Sequence, residues 1–181
     1  MATLKYKIQF FSDWHCGSGL AAGADVDALV IKDNDGFPFI PGKTIKGLVR
    51  EAIETIGLAN DDQINNSFGF FKDDKEKMVK GQMFFDNAEF ENNLKATIDS
   101  QKTTKFLYRS ISSTAIEEDG IAKDNSLRRI EVVVPCELEG SIYDVPDEIR
   151  EDLVKALKFI KRMGVNRNRG LGRCKITVID N

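Results

Sequence analysis

The sequence predicts an α+β domain, and three patterns predict it. Leu4, Tyr6, Ile8 and Phe10 alternate with Lys5, Lys7 and Gln9, the period-two signature of a half-buried strand. Ile45, Leu48, Val49, Ala52, Ile53 and Ile56 recur at helical spacing, as do Ile149, Leu153, Ala156, Leu157 and Ile160. Cys174, Ile176 and Val178 alternate with Lys175 and Thr177 in a closing strand. With the middle strands below, the order is strand, helix, strand, strand, helix, strand, the ferredoxin-like arrangement.

After the first strand, a Gly/Ala-rich loop leads to Ala28–Ile31, the turn Asp33-Asn34-Asp35-Gly36 and Phe37–Ile40, which together predict a hairpin. Pro41-Gly42 opens the first helix and Gly57 ends it. Asn60–Lys80 is polar and poorly periodic, so little regular order is expected there, except that Ser67–Phe71 could plug into the core. Gln82–Asp86 reads as the second strand, and Ile130–Val134 continuing to Glu139–Tyr143 as a long strand or hairpin. The insertion between them contains Ser112–Arg129, rich in Ser, Asp, Lys and Gly, which predicts a projecting hairpin or mobile loop. Pro146-Asp147-Glu148 starts the second helix with acids that suit its dipole, and Gly164 is the expected C-cap.

At 181 residues, with 41% hydrophobic and 30% charged, the chain fits one domain over residues 1–181. No run approaches the roughly 18 apolar residues of a membrane span. The start of the chain lacks a signal-peptide core, so a cytoplasmic protein with no membrane partner is expected. Cys16, Cys136 and Cys174 are widely separated and form no C-x-x-C pair, which argues against a disulfide framework or a zinc knuckle.

The net charge of −3 conceals a strong asymmetry. From Leu153 to Ile179 stand Lys155, Lys158, Lys161, Arg162, Arg167, Arg169, Arg173 and Lys175, with no acidic residue. Positive charge gathered in this way is the electrostatic footprint of a nucleic-acid binder, or else a solvated helix face. Two glycine-punctuated segments, Trp14–Gly19 and Arg167–Arg173, could bring main-chain N–H groups close to a phosphate chain.

Pro41-Gly42-Lys43-Thr44 resembles the end of a phosphate-binding loop, but Phe37 stands where that signature requires glycine, so nucleotide hydrolysis is rejected. Lys43, Lys46 and Arg50 form one basic edge of the helix, either facing phosphates or solvated. His15, the only histidine, could contact RNA, carry a proton or close a turn. Asp25 and Asp27 lie in a loop of small residues that leaves a carboxylate open to a ligand, although loop aspartates are more often turn-formers.

Several segments in order carry a wider resemblance: His15–Gly19, Val26–Asp33, Phe39–Arg50, Phe68-Gly69, Gly81–Asp86 and Gly170–Arg173. Through them the chain resembles the RAMP superfamily (repeat-associated mysterious proteins), and within it the backbone subunit of type III CRISPR effector complexes. The resemblance implies a modified ferredoxin-like, RNA-recognition-type domain whose copies stack as a filament along a guide RNA, beside other effector subunits. It implies that a thumb, falling at residues 112–129, interrupts the guide–target duplex at regular intervals. It implies that Asp27 serves metal-dependent cleavage of target RNA, with Mg²⁺ or another divalent cation and the ribose 2′-OH as nucleophile. Guide contacts are implied for His15, Gly17, Gly19, Lys43, Lys46, Arg50, Arg167, Arg169, Gly170, Gly172 and Arg173. Cys16 stands where relatives often carry an aliphatic residue. A non-catalytic RNA-binding scaffold of the same kind, and a guide-processing endonuclease relying on His15, are the alternatives.

Overall fold

A computed structural model of the chain describes residues 2–21, 25–71 and 78–179. Its central sheet contains β1 (Ala2–Phe10), β4 (Phe84–Phe85), β7 (Glu137–Val145) and β8 (Cys174–Ile179), antiparallel throughout in the order β4-β7-β1-β8. Helices α1 (Gly42–Ile56) and α4 (Asp147–Phe159) pack on each other and bury one face of it. With β1, α1, β4, β7, α4 and β8 as the six elements, this is the ferredoxin-like order and topology.

The core follows from the two periodicities. Leu4, Tyr6, Ile8 and Phe10 are buried on the helix side of β1, while Lys5 and Gln9 stand exposed on the other face. Ile45, Val49, Ala52 and Ile53 of α1 meet Ile149, Leu153, Ala156 and Leu157 of α4, and each large aliphatic side chain so buried contributes about 1.5–3 kcal/mol. Ile56 falls outside this stripe and is exposed at the helix end, where Gly57 caps in the left-handed conformation. A side chain at Gly42 would overlap the Phe85 carbonyl, and its N–H donates to Asn87 Oδ1 at 3.0 Å. The glycine before Lys43 therefore serves close packing of α1 on β4, in agreement with rejecting a phosphate loop.

Elsewhere the structure departs from expectation. The Asp33–Gly36 turn forms, held by Asp33 Oδ1 accepting from Asp35 and Phe37 N–H at 3.1 and 2.8 Å, but the expected hairpin contracts to the single bridge Lys32↔Pro38. Segment 28–40 pairs instead with three different neighbours, through Gly17↔Val30, Ala28↔Ile130 and Ile40↔Ala88. The stretch expected to lack order contains α2 (Asp61–Phe68), β2 (Gly69–Phe71) and β3 (Met78–Lys80), while 72–77 lie outside the described residues. Asn60 and Gln63 start α2 with a reciprocal capping box, a signal that outweighs its weak periodicity, and Ile64 and Phe68 anchor it in the core.

The expected long strand or hairpin is two strands that pair with different partners, β6 (Arg128–Val133) and β7, separated where Pro135 removes a ladder donor. β6 pairs with β5 (Tyr108–Ser113) in a hairpin outside the main sheet, following α3 (Asn92–Ser100) and a 3₁₀ turn at Thr104–Leu107. Residues 112–129 are the far end of that hairpin, solvent-exposed except for half-buried Ser126. The C-cap of α4 is Ile160, not Gly164. Among the described residues no helix is long and apolar enough to cross a membrane.

Candidate nucleic-acid interface

Beyond the C-terminal end of β1 the chain turns through Asp13, Trp14 and His15, and four segments meet there. Trp14 pairs with Val133 of β6 through N–H···O bonds of 3.0 and 2.8 Å and stacks on Phe10 with ring centroids 4.7 Å apart. Asp13 is buried and takes the Arg109 guanidinium of β5, with Arg109 Nε 2.7 Å from Oδ2 and Nη2 also in contact. The main-chain oxygens of Asp13 and His15 accept the N–H groups of Gly172 and Val165 at 2.7 and 2.9 Å. The first glycine loop is thereby sewn to the terminal one.

Glu131 of β6 holds the next segment. Its carboxylate accepts the Val30 N–H at 3.0 Å and the Lys32 ammonium at 2.8 Å, and its backbone N–H donates to the Ala28 carbonyl at 3.0 Å. The same residue's carbonyl oxygen lies 2.6 Å from His15 Nδ1. One acidic side chain thus fixes the strand that presents Asp27.

Asp27 itself is exposed, and its Oδ2 accepts the Arg129 N–H at 2.6 Å while its own N–H donates to the Arg129 carbonyl at 2.8 Å. Oδ1 has no hydrogen-bond partner among the described residues. Asp25 is exposed on the same loop and makes no such tie.

The basic residues divide sharply. Arg169 of the terminal loop lines a cleft of about 660 Å³ together with Lys123, Asn125, Ser126 and Arg128 of the hairpin end, so two distant parts of the sequence place cations around one opening. Arg173 is exposed and its guanidinium lies 5.6 Å from the ring of exposed Phe11. Lys43 is exposed at the start of α1 next to Cys16; burial raises the Cys16 thiol pKa, against the Thr44 hydrogen bond and the Lys43 charge. Lys46 is half-buried, and desolvation with the nearby Arg50 charge lowers its ammonium pKa, so an anion there would relieve both strains.

Other expected contacts serve the fold. His15 is buried with its ring against Gly17 and Glu131, so it closes the turn and its imidazole presents no surface to a ligand. The Arg50 guanidinium is engaged by Glu54 Oε1 at 2.8 Å, the Gly69 carbonyl at 2.8 Å and Asn65 Oδ1 at 3.4 Å, tying α1 to α2 and β2. Arg167 is half-buried, 3.7 Å from Glu51. Gly172 is buried, with φ of 67° and no room for a side chain beside the Met163 carbonyl, whereas Gly19 and Gly170 (φ of 79° and 92°) border open space and Gly17 is exposed. Gly164 likewise lets the terminal loop lie against the His15 carbonyl.

Sequence reasoning missed Asp13, Arg109, Glu131, Lys123, Arg128 and Arg129. The only available signal was an acid inside an apolar strand run, at Glu131, and one at a strand exit, at Asp13. Among the described residues no three His, Cys, Asp or Glu side chains converge as a metal site. The single open oxygen of Asp27 suits a Mg²⁺ held jointly with RNA phosphates, since Mg²⁺ keeps several waters and is commonly bound through one or two carboxylates plus phosphates.

A family model of the RAMP superfamily matches residues 7–175. No curated protein matches the sequence. Among solved structures, a chain from the cryo-EM structure of the type III-B Cmr-beta bound to cognate target RNA is 11% identical, with a TM-score of 0.76 and coverage of 98% of this chain and 97% of that one. A chain from the apo state of Cmr-beta gives 11% identity, a TM-score of 0.74 and coverage of 99% and 98%. At that identity the likeness shows a shared fold over the whole chain.

Proposed function

The chain belongs to the RAMP superfamily, and on that premise we propose that it is a guide-RNA-binding backbone subunit of a type III CRISPR effector complex, cutting complementary target RNA at regular intervals. The observation that carries this reading is the Asp27–Arg129 tie, which sets an exposed carboxylate at the root of a projecting hairpin, beside Arg128 and Arg129. The hairpin end acts as the thumb, further copies of the chain stack along the guide, and other type III subunits complete the particle.

In this reading the guide backbone runs over Lys43, Lys46, Arg169 and Arg173, whose charges give affinity without sequence preference. Gly17, Gly19 and Gly170 let the chain approach phosphates, and Arg167 adds charge once freed from Glu51. A nucleotide splayed out by the thumb can rotate its sugar until the 2′-OH is in line with the adjacent phosphate. The 2′ oxygen then attacks phosphorus, the P–O5′ bond breaks, the 2′ proton leaves to a base and O5′ gains one, giving a 2′,3′-cyclic phosphate and a 5′-OH. Asp27 Oδ1 orients or accepts that 2′ proton, and Arg128, Arg129 or Lys123 stabilises charge on the phosphate. A bound Mg²⁺, which Asp27 could help to hold, would draw off negative charge from the phosphate.

A scaffold that binds without cutting is the second reading, favoured by the Asp27 Oδ2 contact, which gives this carboxylate a structural use of its own. A guide-processing role for His15 finds no support in a buried imidazole. The deciding experiment incubates guide-loaded protein with complementary RNA and Mg²⁺. Fragments at constant spacing support the cutting subunit; tight binding with intact RNA supports the scaffold.

A further inference from the structure

Between α1 and the β2–β3 ribbon lies a cleft of about 530 Å³, walled by Lys46 and Arg50 on the helix side and by Phe70, Phe71, Met78 and Val79 on the ribbon side. The ribbon is fixed at its root. Gly69 and Gly81 leave no room for a side chain where the backbones of residues 67–69 and 79–81 touch, and the Gln82 and Met83 N–H groups donate to the Asn66 and Ser67 carbonyls at 2.9 and 3.1 Å. The Arg50 guanidinium holds the Gly69 carbonyl at 2.8 Å, which ties this wall to the helix.

Two independent features of the cleft point to one kind of ligand. Phe70 opposes Val79 across the ribbon and Phe71 opposes Met78. The first pair is half-buried, while Phe71 and Met78 are 64% and 59% exposed, so aromatic and apolar surface stands open to water beside the helix. Lys46 is half-buried, and burial first and the Arg50 charge second lower its pKa, with no carboxylate among the described residues to raise it. Arg50 is already committed to Glu54, Gly69 and Asn65, so Lys46 is the cation left for a ligand. Among the described residues no acid lines the cleft, and residues 72–77, which join β2 to β3, carry three lysines against two aspartates and one glutamate. An aromatic surface next to an unpaired cation is completed by a nucleotide, which brings a flat base and an anionic phosphate together.

We propose that this cleft holds one nucleotide of single-stranded RNA, its base stacked on the aromatic ribbon at Phe70 and Phe71 and its phosphate on Lys46. The site rests on the RNA-binding reading above and adds a base contact to an interface otherwise made of phosphate contacts. Lys43 and Lys46 share one edge of α1, so the cleft continues the basic row of the proposed guide path, which favours RNA over an acidic protein segment. Stacking accepts any base, so the site grips RNA without selecting its sequence.

Fluorescence anisotropy of the full chain with labelled oligouridylate, and with an abasic ribose-phosphate chain of the same length, separates base from phosphate. Phe70→Leu/Phe71→Leu keeps the apolar character but removes both rings. It should weaken oligouridylate binding about tenfold or more, while the abasic chain binds as before and the salt slope is kept. Lys46→Gln should weaken both ligands alike and flatten the slope by about 0.7. Phe84→Leu, which removes a ring of similar exposure (60%) on β4, should change neither. If the double variant does not fold, Phe71→Leu alone, at an exposed position, should show a smaller loss of the same kind. Unaltered oligouridylate binding in the folded double variant, or in Phe71→Leu where only that folds, overturns the base site and leaves the proposed function standing. Equal losses for the two ligands in the double variant, or an equal loss in Phe84→Leu, do the same. Absence of RNA binding in the unmodified chain overturns both. Self-association, followed by sedimentation velocity, that the double variant abolishes with RNA binding untouched gives the ribbon to a second copy and overturns the proposal.

Discussion

Asp27 and Arg129 exchange a pair of hydrogen bonds: the Asp27 carboxylate accepts the Arg129 N–H at 2.6 Å, and the Asp27 N–H donates to the Arg129 carbonyl at 2.8 Å. Binding strength and cutting can therefore be separated by choice of substitution. Asp27→Asn keeps an amide oxygen for the Arg129 N–H but removes the charge, so RNA binding should persist while cleavage falls by two orders of magnitude or more, the usual scale for a lost acid–base group (about 10²–10⁴-fold). Asp27→Ala loses the tie as well and should also loosen the hairpin, read as faster amide exchange at Arg129. Asp25→Asn should do neither. Cleavage retained in the Asp27→Asn complex refutes a catalytic Asp27, and lost RNA binding in it makes the residue structural.

Arg169 and Arg173 are both exposed and one lines the cleft to the hairpin, and the proposed function makes them phosphate contacts without base readout. Each arginine replaced by alanine should lower RNA affinity for every sequence alike. The slope of log affinity against log salt should flatten by about 0.7–0.9 for each phosphate that is no longer neutralised. Arg50→Ala should behave differently, because that guanidinium is committed to Glu54, Gly69 and Asn65: it should lower the melting temperature and leave the salt slope unchanged. An unchanged slope for Arg169→Ala and Arg173→Ala takes the terminal loop out of the interface.

The periodic elements were legible because their side chains answer to one partner layer. Leu4 to Phe10 and Ile149 to Leu157 alternate or recur against a single core, so pattern sufficed. Segment 28–40 and strand β6 were misread because their partners are remote: Ala28 bonds to Glu131, Ile40 to Ala88, and Arg128–Val133 to β5, none of which a local window contains. Asp27, Arg169 and Arg173 are exposed, as the contacts expected of them require, but the sequence could not tell exposed Lys43 from occupied Arg50 or buried His15. That distinction lies in Glu54, Gly69 and Glu131, found only after the chain folds.

The turn beside the candidate site carries a pH dependence of known sign. Burial pushes the Asp33 carboxyl up, but the Lys95 ammonium at 3.0 Å and the Phe37 N–H outweigh it and hold the pKa below its ordinary value. A group depressed in this way contributes stability that is complete above its unfolded pKa, about 3.9, and is lost as pH falls through the folded value. Melting curves should show Asp33→Asn less stable than the parent at neutral pH, with the gap closing below about pH 4. A gap that stays constant down to the most acidic condition at which the chain still folds would mean that the carboxylate charge does not stabilise the turn.

Gly170 and Gly172 look alike in sequence and should respond differently to the same change. Both have positive φ, 92° and 67°, so alanine at either incurs the left-handed backbone strain, about 1–2 kcal/mol. Only at position 172 would the added methyl overlap the Met163 carbonyl oxygen, in a turn where Gly172 N–H also bonds Asp13 at 2.7 Å and its carbonyl bonds Met163 N–H at 3.0 Å. Overpacking of that kind adds roughly 1–3 kcal/mol, so Gly172→Ala should lower the melting temperature well beyond Gly170→Ala. It should also free the loop from the Asp13 main-chain oxygen, which faster amide exchange at Gly172 and Val165 would register. Gly170→Ala keeps those bonds and faces open space, so any loss it causes should be in RNA affinity. Equal melting temperatures for the two variants would mean that the terminal loop is not anchored through Gly172, and that the joining of the two glycine loops at Asp13 and His15 does not hold the interface in place.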